Sequence, residues 1–196
     1  MLRIKLTLLT LIIGACATVS NSDVILLDSK PINAKSENIL ENQLKETPID
    51  IWERIRRELT IKIPDDQIAA TSIYRERLYK NQSAVNRISK SGQRYLFHTL
   101  SRAQELDLPV ELALLPFVES EFDPYAKSVD GATGIWQFMP ATGKEWGLKS
   151  NWWYDGKKDV LASTEAALKF LSYLHQKFDE DWLLAMAAYN LSLIHI

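Results

Sequence analysis

The stretch VELALLPFVESEF, Val110–Phe122, decides the fold. Set out at 100° per residue, Val110, Leu112, Ala113, Leu114, Leu115, Phe117 and Val118 cover every side of a helix. A helix that is apolar all round belongs in the interior of a helical domain. Leu112, Pro116 and Glu119 share one side, and Glu121 falls opposite and reads as solvated surface. Glu119 therefore inherits the burial of its helix. Desolvation disfavours the charged form, so its carboxyl is expected to hold its proton more tightly than usual. A glutamate protonated near neutrality can hand that proton to a leaving oxygen. Taken alone, the position suits a structural cap or ion pair better, as for most glutamates. Pro116 lacks a backbone N–H and is expected to break the helix locally. Asp123-Pro124 is expected to end it.

Working outward, apolar residues recur at helical spacing nearly everywhere. Ile49 to Ile55 repeats at that spacing and stops near Pro64, and Asp65-Asp66 can cap a helix towards Tyr79. One long helix is expected from about Ser83 to Leu106, with Ile88, Tyr95, Leu96, Leu100 and Ala103 inward. Pro109 suits the first turn of the next. A short helix follows at Pro140–Trp146, then a loop from Asn151 to Gly156. Asp159 opens a helix to Phe178 with Leu161, Leu168, Leu171, Leu174 and Phe178 on one stripe, and Asp181 precedes a last helix, Trp182–Tyr189. No alternating strand pattern of useful length and no internal repeat occurs. The expected class is all-α.

The chain has 196 residues and a formal net charge of −2, with no Lys/Arg cluster, which argues against a nucleic-acid partner. His98, His175 and His195 have no metal-ligand spacing, so neither metal nor cofactor is expected. Residues 1–16 read as a lipoprotein signal: Arg3 and Lys5, a short apolar run from Leu6 to Ile13, then Gly14-Ala15-Cys16. The run is too short to span a bilayer. The small residues before Cys16 resemble a bacterial lipobox, which implies lipidation of Cys16 and, with Ala17 next, an outer-membrane anchor facing the periplasm; the alternative is a plain secretory signal. Residues 17–48 read as a flexible tether and 49–108 as an N-terminal helical segment. LSLIHI at 191–196 breaks the helical pattern. Back-translated as CTG TCT CTT ATA CAC ATC, it coincides with a transposon-end adapter, so the expectation is a truncated gene read into adapter; a genuine apolar tail is the alternative, and resequencing the locus decides.

Three motifs stand in order: LLPFVESEFDPYAKS at 114–128, GATGIWQFMPATG at 131–143 and AAYN at 187–190. Together they resemble the goose-lysozyme-like soluble lytic transglycosylase family, of the membrane-bound D type, and IDIWERIRREL at 49–59 resembles the segment before its catalytic domain. The resemblance implies a lysozyme-like helical domain over 109–190, incomplete because the family continues AYN-x-G where this chain has Leu191-Ser192. It implies that peptidoglycan glycan strands are the partner and that Glu119 is the single acid/base. Glu119 would cleave the MurNAc–GlcNAc bond without water, leaving a 1,6-anhydro ring. By the same resemblance Ser120, Trp136, Gln137, Met139, Tyr189 and Asn190 would contact substrate, with Gln137 offering donor and acceptor to an acetamido group and Trp136 and Met139 an apolar wall for sugar faces; core packing is the alternative for Trp136, and a hydroxyl bonding its own helix backbone the alternative for Ser120. Two-carboxylate glycosidases need a second acid at about 5–5.5 Å or 6.5–9.5 Å. Asp123 and Asp130 occupy turn positions and have no obvious claim to that role. A goose-type hydrolase and a non-catalytic peptidoglycan-binding lipoprotein remain alternatives. Trp152 and Trp153 read as core or rim ahead of glycan contacts.

Overall fold

In a computed structural model describing residues 50–64, 68, 71, 72, 76 and 79–195, the architecture is all-α, and β pairing among the described residues is limited to isolated bridges. The signal segment with Cys16, the tether and the Asp65-Asp66 cap lie outside the described residues. Helix α1 is Ile51–Glu58, α2 Gln82–Gly92, α3 Leu96–Glu105, α4 Leu115–Ser120, α5 Pro140–Glu145, α6 Val160–Lys177 and α7 Trp182–His195; a 3-10 helix, Val110–Leu114, precedes α4.

The oily stretch at 110–122 is thus two helices rather than one. Pro116 has no N–H to give the carbonyl of Leu112 in an α-helical pattern. The 3-10 geometry resolves this, because Leu115 N–H donates to Leu112 O instead. Pro116 then falls in the first turn of α4, where a missing N–H costs nothing. The proline marks a handover and leaves no kink inside α4. The end of α4 also comes earlier than Asp123-Pro124. Glu121 and Phe122 both adopt left-handed backbone, φ 53° and 61°, and Phe122 N–H donates to Pro116 O at 3.1 Å. Two non-glycine residues in that region cost about 1–2 kcal/mol each.

The long helix expected over 83–106 is broken as well. Its chain turns at 93–95 and restarts at Leu96. Phe117 packs against the bare Cα of Gly92, where a Cβ would lie 2.5 Å from the ring. Leu96, Leu100 and Ala103 are buried as expected, and Tyr95 is half-buried.

Helix α6 is the spine. Asp159 caps it, accepting from Leu161 and Ala162 N–H at 3.0 Å each. Leu168, Leu171 and Leu174 are buried, with Ala166, Ala167 and Phe170, against α3 and α7. Leu161 is solvent-facing instead, and Phe178 is half-buried. Helix α7 runs past its expected end at Tyr189 and continues through the first residues of LSLIHI to His195.

The N-terminal segment is built into the same interior. Ile55 is fully buried, and Trp52 lies 5.7 Å from Phe117, which meets Phe122 edge-on at 4.6 Å. Burying one such side chain contributes about 1.5–3 kcal/mol. After α1, Thr60 and Ile61 N–H donate to Glu111 Oε1 at 2.5 and 2.6 Å. Glu111 is wholly buried, so this carboxyl is a structural clip between the segment and the 3-10 helix.

Candidate active site

Glu119 is the penultimate residue of α4. Its residue surface is half-buried, while its Oε1 is closed off from solvent. The acidic residues near it in sequence are engaged elsewhere or point away. Glu121 pairs with Arg87 at 3.0 Å on the surface, as its solvated reading requires. Asp123 accepts from Tyr125 N–H at 2.9 Å in its own turn, and Asp130 is exposed.

Opposite α4 runs the loop 131–139, pinned from three sides. Ser120 Oγ donates to Ile135 O at 2.9 Å, tying the loop to α4. Tyr189 OH donates to Trp136 O at 2.9 Å, tying it to α7. Trp136 Nε1 donates to Thr164 Oγ1 at 3.0 Å, tying it to α6. Two consecutive carbonyls are thus fixed by side chains from the helices that flank the loop. Gln137 sits in left-handed backbone at φ 51°, and its Nε2 donates to Gly134 O at 2.9 Å and Ala126 O at 3.3 Å. On the far side, Gly134 presses on the backbone of Lys157: a Cβ at Gly134 would lie 1.8 Å from Lys157 O. Lys157 is itself buried, with Nζ on Asp155 Oδ1 at 2.7 Å.

Tyr189 is completely buried. Burial, and then the negative charge of Glu119 nearby, push its phenol well above its ordinary value. It therefore stays a hydrogen-bond donor across the physiological range, near Glu119. Glu119, Ser120, Gln137 and Tyr189 converge around one loop. Met139 is half-buried at the N-cap of α5. Asn190 is buried, its Nδ2 donating to Met186 O at 2.9 Å.

Two expectations need correcting. Trp136 is no cleft wall: it is 0% exposed, and its indole is spent inside the core. Gln137 was expected to offer donor and acceptor together, but its amide hydrogens are taken by the carbonyls of Gly134 and Ala126, which leaves the carbonyl oxygen. Thr164, Lys157 and Glu111 were missed. None lies in a motif, and each acts through a partner distant in sequence, so no local pattern announces it.

A surface cleft of about 500 Å³ lies elsewhere, lined by residues including Glu58, Pro109, His175 and Trp182, and holds none of these residues. Among the described residues no group of three or more potential ligands could hold a metal ion, and no helix is long and apolar enough to cross a membrane.

An all-α domain that brings the shielded Oε1 of Glu119, at the end of its helix, beside a clamped glycine-containing loop has the arrangement of a lysozyme-like class. Residues 97–195 match the Transglycosylase SLT domain family, and the chain belongs to it. It is 40% identical over 141 residues to the membrane-bound lytic murein transglycosylase D of Escherichia coli (strain K12), covering 72% of this chain and 31% of that protein. It is 45% identical over 103 residues to a putative tributyltin chloride resistance protein of Alteromonas sp. (strain M-1), covering 53% of this chain and 50% of the relative. It is 42% identical over 83 residues to the peptidoglycan transglycosylase gp16 of Escherichia phage T7, covering 40% of this chain and 6% of that protein. The chain thus spans less than a third of the length of the transglycosylase D that it matches.

Proposed function

We propose that the protein is a peptidoglycan lytic transglycosylase with Glu119 as its sole acid/base. The observation that carries this reading is the placing of a solvent-shielded Glu119 Oε1 near the fully buried side chain of Tyr189. Glu119 donates its proton to the glycosidic oxygen between MurNAc and GlcNAc, and the bond from C1 to that oxygen breaks. The sugar's own acetamido group assists at C1. Glu119, now a carboxylate, takes the proton of the C6 hydroxyl, whose oxygen closes on C1 to form the 1,6-anhydro ring. No water is consumed, and the acid ends as it began.

The chain's other groups serve that acid. Ser120 and Tyr189 hold successive carbonyls of the loop, so the wall facing Glu119 is set before substrate arrives. Gln137 keeps an amide oxygen with which to accept from a sugar N–H. Met139 supplies an apolar edge, and Asn190 holds the end of the tyrosine turn. The names of the relatives support an envelope location, and Cys16 in its lipobox-like setting supports a lipid anchor to the outer membrane.

The test is mass spectrometry of digested sacculi. Anhydro-muropeptides are expected, and Glu119→Gln is expected to lower their release by about 10²–10⁴-fold. Hydrated reducing ends would identify a hydrolase instead, and unchanged cleavage by the variant would remove Glu119 from the chemistry.

A further inference from the structure

Trp152 and Trp153 are 82% and 84% exposed, neither core nor half-covered rim. Each indole carries a large apolar surface that water would rather not face. The loop that presents them is held firmly. Asn151 Oδ1 accepts from Trp153 and Tyr154 N–H at 2.9 and 2.8 Å, and Asn151 N–H donates to Tyr154 O at 2.7 Å. Tyr154 OH donates to Asp159 Oδ2 at 2.9 Å, and Ser150 Oγ donates to Asp155 Oδ1 at 2.9 Å. The two rings stand edge to face with centroids 3.9 Å apart at 72°, which makes a corner rather than a flat patch.

The base of this loop is joined to the candidate active site. Asp155 holds Lys157, and Lys157 O backs Gly134, two residues before the carbonyl that Tyr189 fixes. The aromatic corner is therefore in rigid register with the loop facing Glu119. Its chain neighbours are Ser150, Asn151, Tyr154 and Asp155; Tyr154 is part-exposed with its hydroxyl held on Asp159, and no aliphatic side chain stands among the four to enter a bilayer. A pyranose fits this chemistry: its C–H face, carrying partial positive charge, packs on the negative face of an indole, while its hydroxyls stay among polar groups.

We propose that Trp152 and Trp153 form a glycan-stacking platform that holds a peptidoglycan sugar outside the residues that cleave it, an inference that rests on the peptidoglycan reading above. The test uses the full chain in a Glu119→Gln background, so that purified sacculi survive the assay, and reads co-sedimentation with and without W152A/W153A. The half-saturating sacculus concentration is expected to rise about tenfold, equivalent to about 1.4 kcal/mol. W152F/W153F is expected to restore most of it. Melting temperature should hold, because the rings bury little, and each single Trp→Gln variant carries the same reading should the double variant melt early. With Glu119 intact, the loss should fall on KM and leave kcat unchanged. Unchanged affinity in the folded double variant overturns the proposal. So does a loss confined to vesicles of phosphatidylglycerol and phosphatidylethanolamine, which would make the pair a membrane contact. Failure of the peptidoglycan reading itself shows separately, as parent chain that releases no anhydro product.

Discussion

Gly134→Ala tests how tightly the loop is set against its backing. Gly134 lies at φ +84°, where an alanine costs about 1–2 kcal/mol. The new Cβ would also fall 1.8 Å from Lys157 O and 2.8 Å from its carbonyl carbon, whereas real Cβ contacts stay beyond 3.0 Å. The two segments must part by more than an ångström. Lys157 has little room to yield, with its ammonium on Asp155 and its Cγ and Cδ 3.2 Å from where a Cβ on Gly143 would lie. The loop must lift instead, and that strains the bonds from Ser120 and Tyr189, worth about 1 kcal/mol each. The sum is roughly 3–4 kcal/mol. At about 2–4 °C per kcal/mol for a chain of this size, melting should fall by roughly 10 °C. A displacement of about 1 Å at a reacting centre can cost about 10²-fold in rate, and anhydro-product release should drop accordingly. Gly131→Ala is the control: φ is +92°, but nothing lies within 4 Å of its Cβ, so it carries the backbone strain alone. Calorimetry on both variants decides. If they melt within about 2 °C of each other, the Lys157 contact is not what positions the loop.

Glu111→Ala should remove the acceptor for two backbone N–H groups and cost roughly 3–5 kcal/mol. Amide exchange at Thr60 and Ile61 should accelerate before that of α6, and exchange that is unaltered there would refute the clip. Tyr189→Phe should leave Trp136 O without its donor, costing about 1–3 kcal/mol. Cleavage should fall further than the melting temperature explains, and a proportionate loss would reduce Tyr189 to packing. The Arg102 hydrogen bond, against some opposing burial, holds Glu165 down at about 2 from 4.5. A depressed folded value means stability that is present above 4.5 and lost as pH falls towards 2. The melting gap between wild type and Glu165→Gln should therefore be widest at neutral pH and close over that window, whereas a constant gap would exclude the ion pair as its source.

Class and core were legible in the sequence because each is written locally. An apolar surface all round 110–118 forces burial whatever the details, and Glu119 is carried in with it. The errors came where two segments negotiate. Pro116 was legible as a local break, but not that the break would be a change from 3-10 to α geometry in which Leu115 N–H serves the carbonyl of Leu112. Ser83–Leu106 reads as one helix until Phe117 claims the space over Gly92. Trp136 sits in a motif that reads as a sugar wall, and only Thr164, 28 residues on, reveals that its indole faces inward. Trp152 and Trp153 carry the opposite lesson: hydrophobicity predicts shelter, and local turn bonding overrides it.

The family match opens at residue 97, yet the interior does not begin there. Ile55 and Trp52 fill space beside Phe117, and Thr60 and Ile61 grip Glu111, on the same run of chain that ends in Glu119. The inherited unit is therefore smaller than the cooperative one. An excised 97–195 fragment would bare an oily socket and strand a carboxyl, and should precipitate where a fragment starting at Asp50 stays in solution. Any pull from the N-terminal side must also open this latch before it can reach the helix that carries Glu119.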